Sequence, residues 1–409
     1  MTGNANAGRI TAVLFMAQCL ASAGFIAMST VGAILAAELS GGRSWAGVPA
    51  AASALAGAGA AFLWGYLMDS LGRRGALALG LLCGAVGAAA SIVAIVHGSF
   101  ALLVAGMVLV GVAQAAVTLS RFVAAEVNNP EHRGRAISYV VLGGTVGAVL
   151  GPLMVAPSGR MMAGAGVNEL AGAFAAAAIL LAAAGAIIVA ALRPDPRELG
   201  RALAESLPRS GPEGPARRTG TILGQPVAAA AVVSMVLSQV VMVAVMVITS
   251  LYMKDMRHDL GDISIVFSAH TIGMYAFSLL SGRLADRWGR APVIITGAIA
   301  LVVACLAAPL STATFSIAGS LLLLGLGWNF CFVGGSALLS DQLAPAERAR
   351  TQGFNDLLVG LAAGIGSFGS GLVSSAIGYR GVGLSGAALS LVPLVLVIRR
   401  ARAIRKAAI

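Results

Sequence analysis

Long apolar runs that recur along the whole chain constrain its fold more than any other feature of the sequence. A helix that crosses a bilayer needs about 20 mostly apolar residues, and runs of this length without the alternation typical of strands occur twelve times. The candidate helices cover residues 10–37, 45–67, 75–96, 100–126, 135–157, 168–192, 226–253, 262–282, 291–310, 314–341, 352–377 and 382–400. The sequence therefore predicts an all-α membrane protein with twelve transmembrane helices.

The composition excludes several classes of protein. Apolar residues make up 58% of the chain and charged residues 11%, whereas soluble domains carry about 25% charged residues. The net charge of +11 arises from basic clusters between the apolar runs, which is typical of membrane topology and not of nucleic-acid binding. No nucleophile–base pair, phosphate loop or paired central carboxylate is found, so we expect neither an enzyme nor a permanently bound cofactor.

A polar segment divides the twelve predicted helices into two sets of six. Residues 193–225 contain six Arg, four acidic residues and five Pro. We interpret this segment as a cytoplasmic linker that carries a short surface helix. It separates an N-terminal six-helix bundle (1–192) from a C-terminal six-helix bundle with a basic cytoplasmic tail (226–409).

The distribution of Lys and Arg predicts the orientation in the membrane. With both termini inside the cell, 21 of the 27 basic residues fall on the inner side. Five fall outside and one, Arg121, lies within the fourth apolar run. The positive-inside rule then places both termini in the cytoplasm, and we expect a multi-pass protein of the bacterial inner membrane, in contact with lipid and monomeric.

A nine-residue pattern of Gly, Leu, Asp, Gly and Arg occurs once in each half, at residues 65–73 and 282–290, with a constant offset of 217. A second duplicated pattern, an acidic residue followed by Arg, comes after the fourth and tenth runs. Such loops could form ion pairs that latch one conformation, or could only fix topology. The latch candidates are Asp69, Arg73, Glu126, Arg133, Asp286, Arg290, Asp341 and Arg348.

The duplicated G-x-L-x-D-x-x-G-R pattern resembles the signature loop of the major facilitator superfamily, and the resemblance covers essentially the whole chain. It implies a fold of two six-helix bundles and a secondary transporter that works by alternating access. The run that contains Gly143, Gly147, Gly151 and Pro152 also resembles the Gly-Pro motif of proton-coupled antiporters in this superfamily. Close helix packing without a coupling role would explain the same residues.

Polar residues inside the apolar runs are candidates for a substrate cavity, because their burial in a membrane is costly, and aromatic residues beside them could line the same cavity. We single out Gln18, Gln114, Trp328 and Asn329. Aromatic rings beside an amide suit a flat heterocycle in a pocket, although they would equally suit helix packing.

Methionines and one histidine form a further pattern in the seventh and eighth runs. Met242 and Met246 are four residues apart, as are His270 and Met274, so each pair lies on one face of its helix. Thioethers select Cu(I), and imidazole also binds copper. Met is equally a common filler of apolar cores, and His270 could instead couple protons or bond a substrate.

The MxxxM and HxxxM motifs, 28 residues apart, resemble those of the CcoA-like family of bacterial copper importers. The resemblance implies that Met242, Met246, His270 and Met274 bind copper for assembly of cbb3-type cytochrome oxidase. Copper-transporting members carry cysteines where this chain has Ser234 and Ser238, and related members are associated with riboflavin uptake. We therefore predict a copper importer with copper as its transported substrate; the alternative is an organic-solute carrier for riboflavin uptake or proton-coupled efflux.

Overall fold

The computed structural model describes residues 2–129, 132–206 and 217–407, and this part of the chain contains helices and no strand. Short 3-10 turns occur at Arg43–Trp45 and Ala308–Leu310. The α-helices are α1 (Thr2–Ser40), α2 (Val48–Val96), α3 (Phe100–Thr118), α4 (Ser120–Glu126), α5 (Arg133–Leu153), α6 (Val155–Gly164), α7 (Ala171–Ala191), α8 (Pro196–Ser206), α9 (Thr219–Leu223), α10 (Pro226–Asp255), α11 (Leu260–Tyr275), α12 (Ser278–Trp288), α13 (Arg290–Ala307), α14 (Thr314–Ser340) and α15 (Pro345–Ala407). The all-α prediction is confirmed.

Ten helical segments of the described residues are long and apolar enough to cross a membrane. Two of them exceed 50 residues, and each is interrupted by one glycine with a positive φ, Gly72 at +80° and Gly378 at +70°. Glycine adopts this backbone conformation without the steric penalty that a side chain would bring. If the two sides of each glycine are counted separately, the described residues hold twelve candidate spans, as the sequence predicts.

The chain divides into two compact units. Unit 1 comprises Met1–Gly41 and Ala52–Arg209, and unit 2 comprises Gly42–Ala51 and Ser210–Ile409. The division at 209/210 falls inside the predicted linker, and six of the twelve candidate spans belong mainly to each unit. The predicted bounds of 1–192, 193–225 and 226–409 stay a prediction.

Small residues let the helices within each unit approach closely. In unit 1, α1 packs on α5 and α7; in unit 2, α14 packs on α10, α11 and α13. A Cβ added to Gly297 would lie 2.7 Å from the carbonyl oxygen of Gly327, and one added to Gly327 would lie 2.9 Å from that of Gly297. Only glycine at both positions allows this crossing of α13 and α14, which is how membrane helices commonly associate.

Candidate functional site

A cluster of aromatic and amide side chains lies where α10, α11 and α14 of unit 2 come together. The indole Nε1 of Trp328 donates a hydrogen bond of 2.7 Å to Oε1 of Gln239. The Trp328 ring stacks on Phe332, with centroids 5.0 Å apart and an interplanar angle of 20°. The Tyr275 ring meets the indole edge-on at 6.3 Å and 76°. We call Gln239, Tyr275, Trp328 and Phe332 the aromatic cluster.

The helical period brings these residues together. Trp328 and Phe332 are four residues apart and share one face of α14. Tyr275 is the last residue of α11, immediately before the break at residues 276–277 that separates α11 from α12. Trp328 is 8% exposed, while Gln239, Tyr275 and Phe332 are partly exposed. Gln239, Tyr275 and Phe332 are therefore the accessible members of the cluster.

Asn329 bonds residues on both sides of the break between α11 and α12. Its Nδ2 donates to the carbonyl oxygen of Met274 at 2.6 Å and to Oγ of Ser278 at 2.9 Å, and its Oδ1 accepts from the hydroxyl of Ser281. These bonds connect α14 to both sides of the break between α11 and α12. Asn329 is only 2% exposed and its amide connects the two parts of the broken helix, while its assignment to a substrate cavity stays a prediction.

His270 is fully buried against α14. Its Nδ1 lies 2.9 Å from the carbonyl oxygen of Leu321, and a carbonyl only accepts, so Nδ1 is the donor. Its Nε2 is buried without a hydrogen-bond partner among the described residues. A neutral imidazole held in this tautomer carries its lone pair on Nε2, which can accept a hydrogen bond or ligate a metal ion.

The methionines lie mostly in the packed interior of unit 2. Met235, Met242 and Met253 are at most 3% exposed, and Met274 is 8% exposed, whereas Met246 is partly exposed. The sulfur of Met235 accepts hydrogen bonds from α14 and α15 side chains. Met235 therefore faces α14 and α15.

The two helices that carry the predicted copper ligands do not pack along each other. α10 and α11 approach at only a few backbone positions, whereas each packs extensively on α14. Among the described residues, no three His, Cys, Asp or Glu side chains are grouped closely enough to hold a metal ion. A copper site would therefore depend on the thioethers, and the set of Met242, Met246, His270 and Met274 stays a prediction.

The two glutamines of unit 1 have separate environments. Gln18 bridges α1 and α4, because its Oε1 accepts from Ser120 at 2.9 Å and its Nε2 donates to Ser22 at 3.3 Å. Gln114 is exposed on α3. The assignment of both residues to a substrate cavity stays a prediction.

The duplicated loops form the same ion-pair pattern in each unit. In unit 1, Nε of Arg73 pairs with Oε2 of Glu126 at 2.8 Å, and its NH1 pairs with Oδ1 of Asp69 at 2.9 Å. In unit 2, Arg290 pairs with Asp341 at 3.1 Å and with Asp286 at 2.7 Å. Arg73 thus joins its own helix to the end of α4 at Glu126, and Arg290 joins its own helix to the end of α14 at Asp341.

The other two latch candidates do not join these clusters in the described structure. Nε of Arg133 donates to the carbonyl oxygen of Asn128 at 3.3 Å, so this arginine bonds within its own connection. The side chain of Arg348 lies outside the described residues. The role of the eight residues as a conformational latch stays a prediction.

Two linker residues that the sequence analysis did not single out hold the helix ends. Oδ1 and Oδ2 of Asp195 accept from the backbone N–H groups of Arg73 and Arg74 at 3.2 and 3.1 Å, directly after the break at Gly72. A carboxylate is favoured beside such a helix start by the unpaired N–H groups there. Asp195 lies between Pro194 and Pro196, and this restricted backbone was the sequence signal that the start of the linker could be ordered.

The second linker contact is an ion pair in unit 2. The guanidinium of Arg217 bonds both carboxylate oxygens of Glu347, at 2.8 and 2.7 Å, and the backbone N–H groups of Arg217 and Ala344 donate to them as well. The side-chain hydrogen bond from Arg217, followed by these backbone bonds, lowers the pKa of Glu347 from 4.5 to about 2. Glu347 therefore stays ionised at neutral pH.

The glycines of α5 lie directly against α1. An added Cβ would lie 2.6 Å from the carbonyl oxygen of Phe15 at Gly143 and 2.5 Å from that of Ala23 at Gly151. At Gly147 it would overlap the carbonyl oxygen of Cys19. Pro152 is the penultimate residue of α5, and helix α6 begins after Met154. These contacts are those of closely packed helices.

Residues 13–260 and 231–408 match the family model described as Major Facilitator Superfamily. The chain belongs to the Major Facilitator Superfamily. An uncharacterized MFS-type transporter of Bacillus subtilis, YdeG, is 34% identical over 395 residues, which are 94% of this chain and 90% of the relative. The riboflavin transporter RfnT of Brucella anthropi is 28% identical over 402 residues, 97% of each chain.

The fold of the superfamily is also found among solved structures. A D-xylose-proton symporter superposes with a TM-score of 0.71 and 18% sequence identity, over 94% of this chain and 96% of the symporter. This likeness shows the fold alone. As a superfamily member the chain is a multi-pass secondary transporter and not an enzyme, which confirms both predictions. Family membership does not support the predicted copper substrate.

Proposed function

We propose that this transporter takes up a planar heterocyclic solute of the riboflavin class. The observation that carries the proposal is the aromatic cluster, in which Trp328 presents a large ring held by a hydrogen bond to Gln239 and by stacking on Phe332. Offset-stacked and edge-to-face aromatic pairs are favourable beyond the area that they bury. A flat ring system is the ligand shape that such a surface recognises.

The break between α11 and α12 supports the same location. Transporters commonly form substrate sites at interrupted helices, where backbone groups are released from helical bonding. Tyr275 ends α11 beside Trp328, and Asn329 bonds both sides of the break. Polar edges of a heterocycle would meet backbone and amide groups here, while its face meets the rings.

The similarity to RfnT also favours an organic solute. The name of that relative assigns it riboflavin, and the match extends over 97% of both chains. We place the present chain in the bacterial inner membrane with both termini cytoplasmic, from the distribution of Lys and Arg. We further propose that it works by alternating access.

Uptake of radiolabelled riboflavin by bacteria that cannot synthesise it tests the proposal. Cells that express the protein should accumulate riboflavin, and Trp328→Leu and Phe332→Leu should abolish most of the uptake at normal protein level. Phe315→Leu is the matched control, because Phe315 lies on the same helix but is 82% exposed. Uptake that is equal with and without the protein would refute the proposal.

Copper import is the second candidate, and one observation favours it. Nε2 of His270 is buried without a partner, and Met274 lies one turn further along the same face. Met235 lies against Gly335 and Gln239 bonds Trp328, so α10 and α14 run antiparallel. This register brings Met242 and Met246 of α10 toward the level of Leu321 on α14, where His270 packs. Against this stand the few contacts between α10 and α11 and the burial of Met242.

Substitution of Met242, Met246 and Met274 by Leu together with His270→Asn distinguishes the two candidates. Met-to-Leu changes in a packed core are tolerated at a cost of under about 1.5 kcal/mol each, so the protein should persist in the membrane. Loss of copper accumulation by this variant, with Met161→Leu at an exposed site as control, would establish the copper candidate. Unchanged copper accumulation would eliminate it.

A further inference from the structure

A cavity of about 390 Å³ opens at the end of unit 2 that is remote from α9. It lies between the end of α10, the 3-10 turn at Ala308–Leu310 and the break at Gly378, and it also includes Arg43. We call it the terminal cavity. Its volume falls within the range of about 300–1,000 Å³ that small-molecule sites occupy.

The terminal cavity is separate from the aromatic cluster. Tyr252 lines the cavity, and it is thirteen residues beyond Gln239 on α10. At 1.5 Å per residue the two positions are about 20 Å apart along the helix. A ligand in the cavity would therefore not contact Trp328.

Two tyrosines provide an aromatic surface in this cavity. The rings of Tyr252 and Tyr379 stack with centroids 4.3 Å apart and an interplanar angle of 16°. Tyr379 is buried, and its hydroxyl lies 2.8 Å from Oγ1 of Thr249, which fixes its ring behind that of Tyr252. Tyr252 is partly exposed, so it can stack a ligand ring at little cost in side-chain entropy.

The charges of the cavity are not balanced. Three charged side chains line it: Arg43, Asp255 and Arg380. Arg43 and Asp255 neutralise each other through an ion pair of 2.8 Å. Arg380 is exposed and forms no ion pair with any described residue, which leaves one positive charge beside the tyrosines. Arginine binds carboxylates and phosphates through paired hydrogen bonds.

We propose that the terminal cavity is a second ligand site, which binds planar aromatic solutes that carry an anionic group. The ring of the solute stacks on Tyr252, and its phosphate or carboxylate bonds the guanidinium of Arg380. This site needs neither the aromatic cluster nor the transport of riboflavin, and the proposal goes beyond the proposed function.

Riboflavin and riboflavin 5′-phosphate are a matched pair of probes, because they share one ring system and differ by the phosphate. Their binding to the purified full chain in dodecyl maltoside is measured by quenching of flavin fluorescence. The Trp328→Leu variant is used, so that the aromatic cluster does not contribute. The phosphate ester should bind about tenfold more tightly than riboflavin at low salt, and this preference should shrink as salt screens the charge.

Two variants locate the bound probe. Arg380→Gln should remove the preference for the phosphate ester, and Tyr252→Leu should weaken both probes about tenfold through loss of stacking. Arg160→Gln, at another exposed arginine, should change neither. Equal affinities for the two probes, or a preference that survives Arg380→Gln, would overturn the proposal. Because only binding is measured, a failure of riboflavin transport would leave this result unaffected.

Discussion

Trp328 of α14 donates a 2.7 Å hydrogen bond through its indole Nε1 to the amide oxygen of Gln239 of α10. The bond fixes the ring plane of Trp328, which Phe332 supports from one side. Polar side chains inside membrane helices are costly unless they are paired or functional. This pair satisfies the donor of the indole with the amide oxygen of Gln239.

The Trp328–Gln239 bond should contribute to riboflavin uptake, and loss of either partner should have the same effect as loss of both. Trp328→Phe keeps an aromatic ring but removes the donor, and Gln239→Leu removes the acceptor. Each should lower kcat/KM for uptake about 3- to 10-fold, the equivalent of one hydrogen bond. The double variant should be no worse than the poorer single variant, because both remove the same bond. Independent, multiplying losses in uptake kinetics would show that the bond does not matter.

The ion pairs of Arg73 should contribute to transport according to their burial. The side chain of Glu126 is 28% exposed and that of Asp69 is 71% exposed, so solvent screens the Asp69 pair more strongly. Glu126→Gln should reduce transport about 3- to 10-fold at normal membrane level, and Asp69→Asn should reduce it less. Glu198→Gln, at an exposed acid of α8, is the control. Equal transport by Glu126→Gln and wild type would show that the loop only fixes the topology in the membrane.

Gly147 should be intolerant of any side chain. A Cβ there would overlap the carbonyl oxygen of Cys19 and would lie 2.9 Å from the backbone N of Ala23. Gly147→Ala should destabilise the protein by about 1–3 kcal/mol, as overpacking does, and thermal unfolding in detergent measures this. Gly59→Ala has no atom within 4 Å and should be neutral or slightly stabilising. Equal unfolding temperatures for the two variants would show that α1 and α5 separate easily.

The Arg217–Glu347 pair should stabilise unit 2 over the whole neutral and mildly acidic range. The folded pKa of Glu347 is depressed from 4.5 to about 2, so its contribution is complete above the unfolded pKa and is lost as the pH falls toward 2. Arg217→Gln should lower the unfolding temperature by the same amount from about pH 8 to about pH 5.5. Arg399→Gln, at an exposed position, is the control. A difference that vanishes already near pH 6 would contradict the assigned pairing.

The spans could be predicted because the bilayer imposes helices, and the duplicated loops because the sequence repeats. Backbone groups in hydrocarbon must bond within a helix, so long apolar runs have one structural outcome. The loops at 65–73 and 282–290 repeat at a fixed offset, and Arg73 and Arg290 accordingly form equivalent ion pairs.

The candidate site was less predictable, because helical periodicity groups residues on a face without stating what that face contacts. The spacing of Met242 and Met246 groups them on one face of α10, but it could not indicate that the sulfur of Met235 on the same helix contacts α14 and α15. Trp328 was identified from its chemistry, whereas Gln239, its partner, could have been found as an isolated amide in an apolar helix. Asp195 and Arg217 act through contacts more than 100 residues away in sequence, for which the sequence pattern gives no distance information.

Riboflavin counterflow in proteoliposomes tests the central claim most directly. Vesicles that contain the purified protein and unlabelled riboflavin are diluted into a trace of labelled riboflavin, and the label inside is followed over time. The wild type and Gly59→Ala should accumulate label transiently and saturably, and Trp328→Leu should not. Wild-type vesicles that take up label no faster than protein-free vesicles would contradict the assignment of a riboflavin-class substrate.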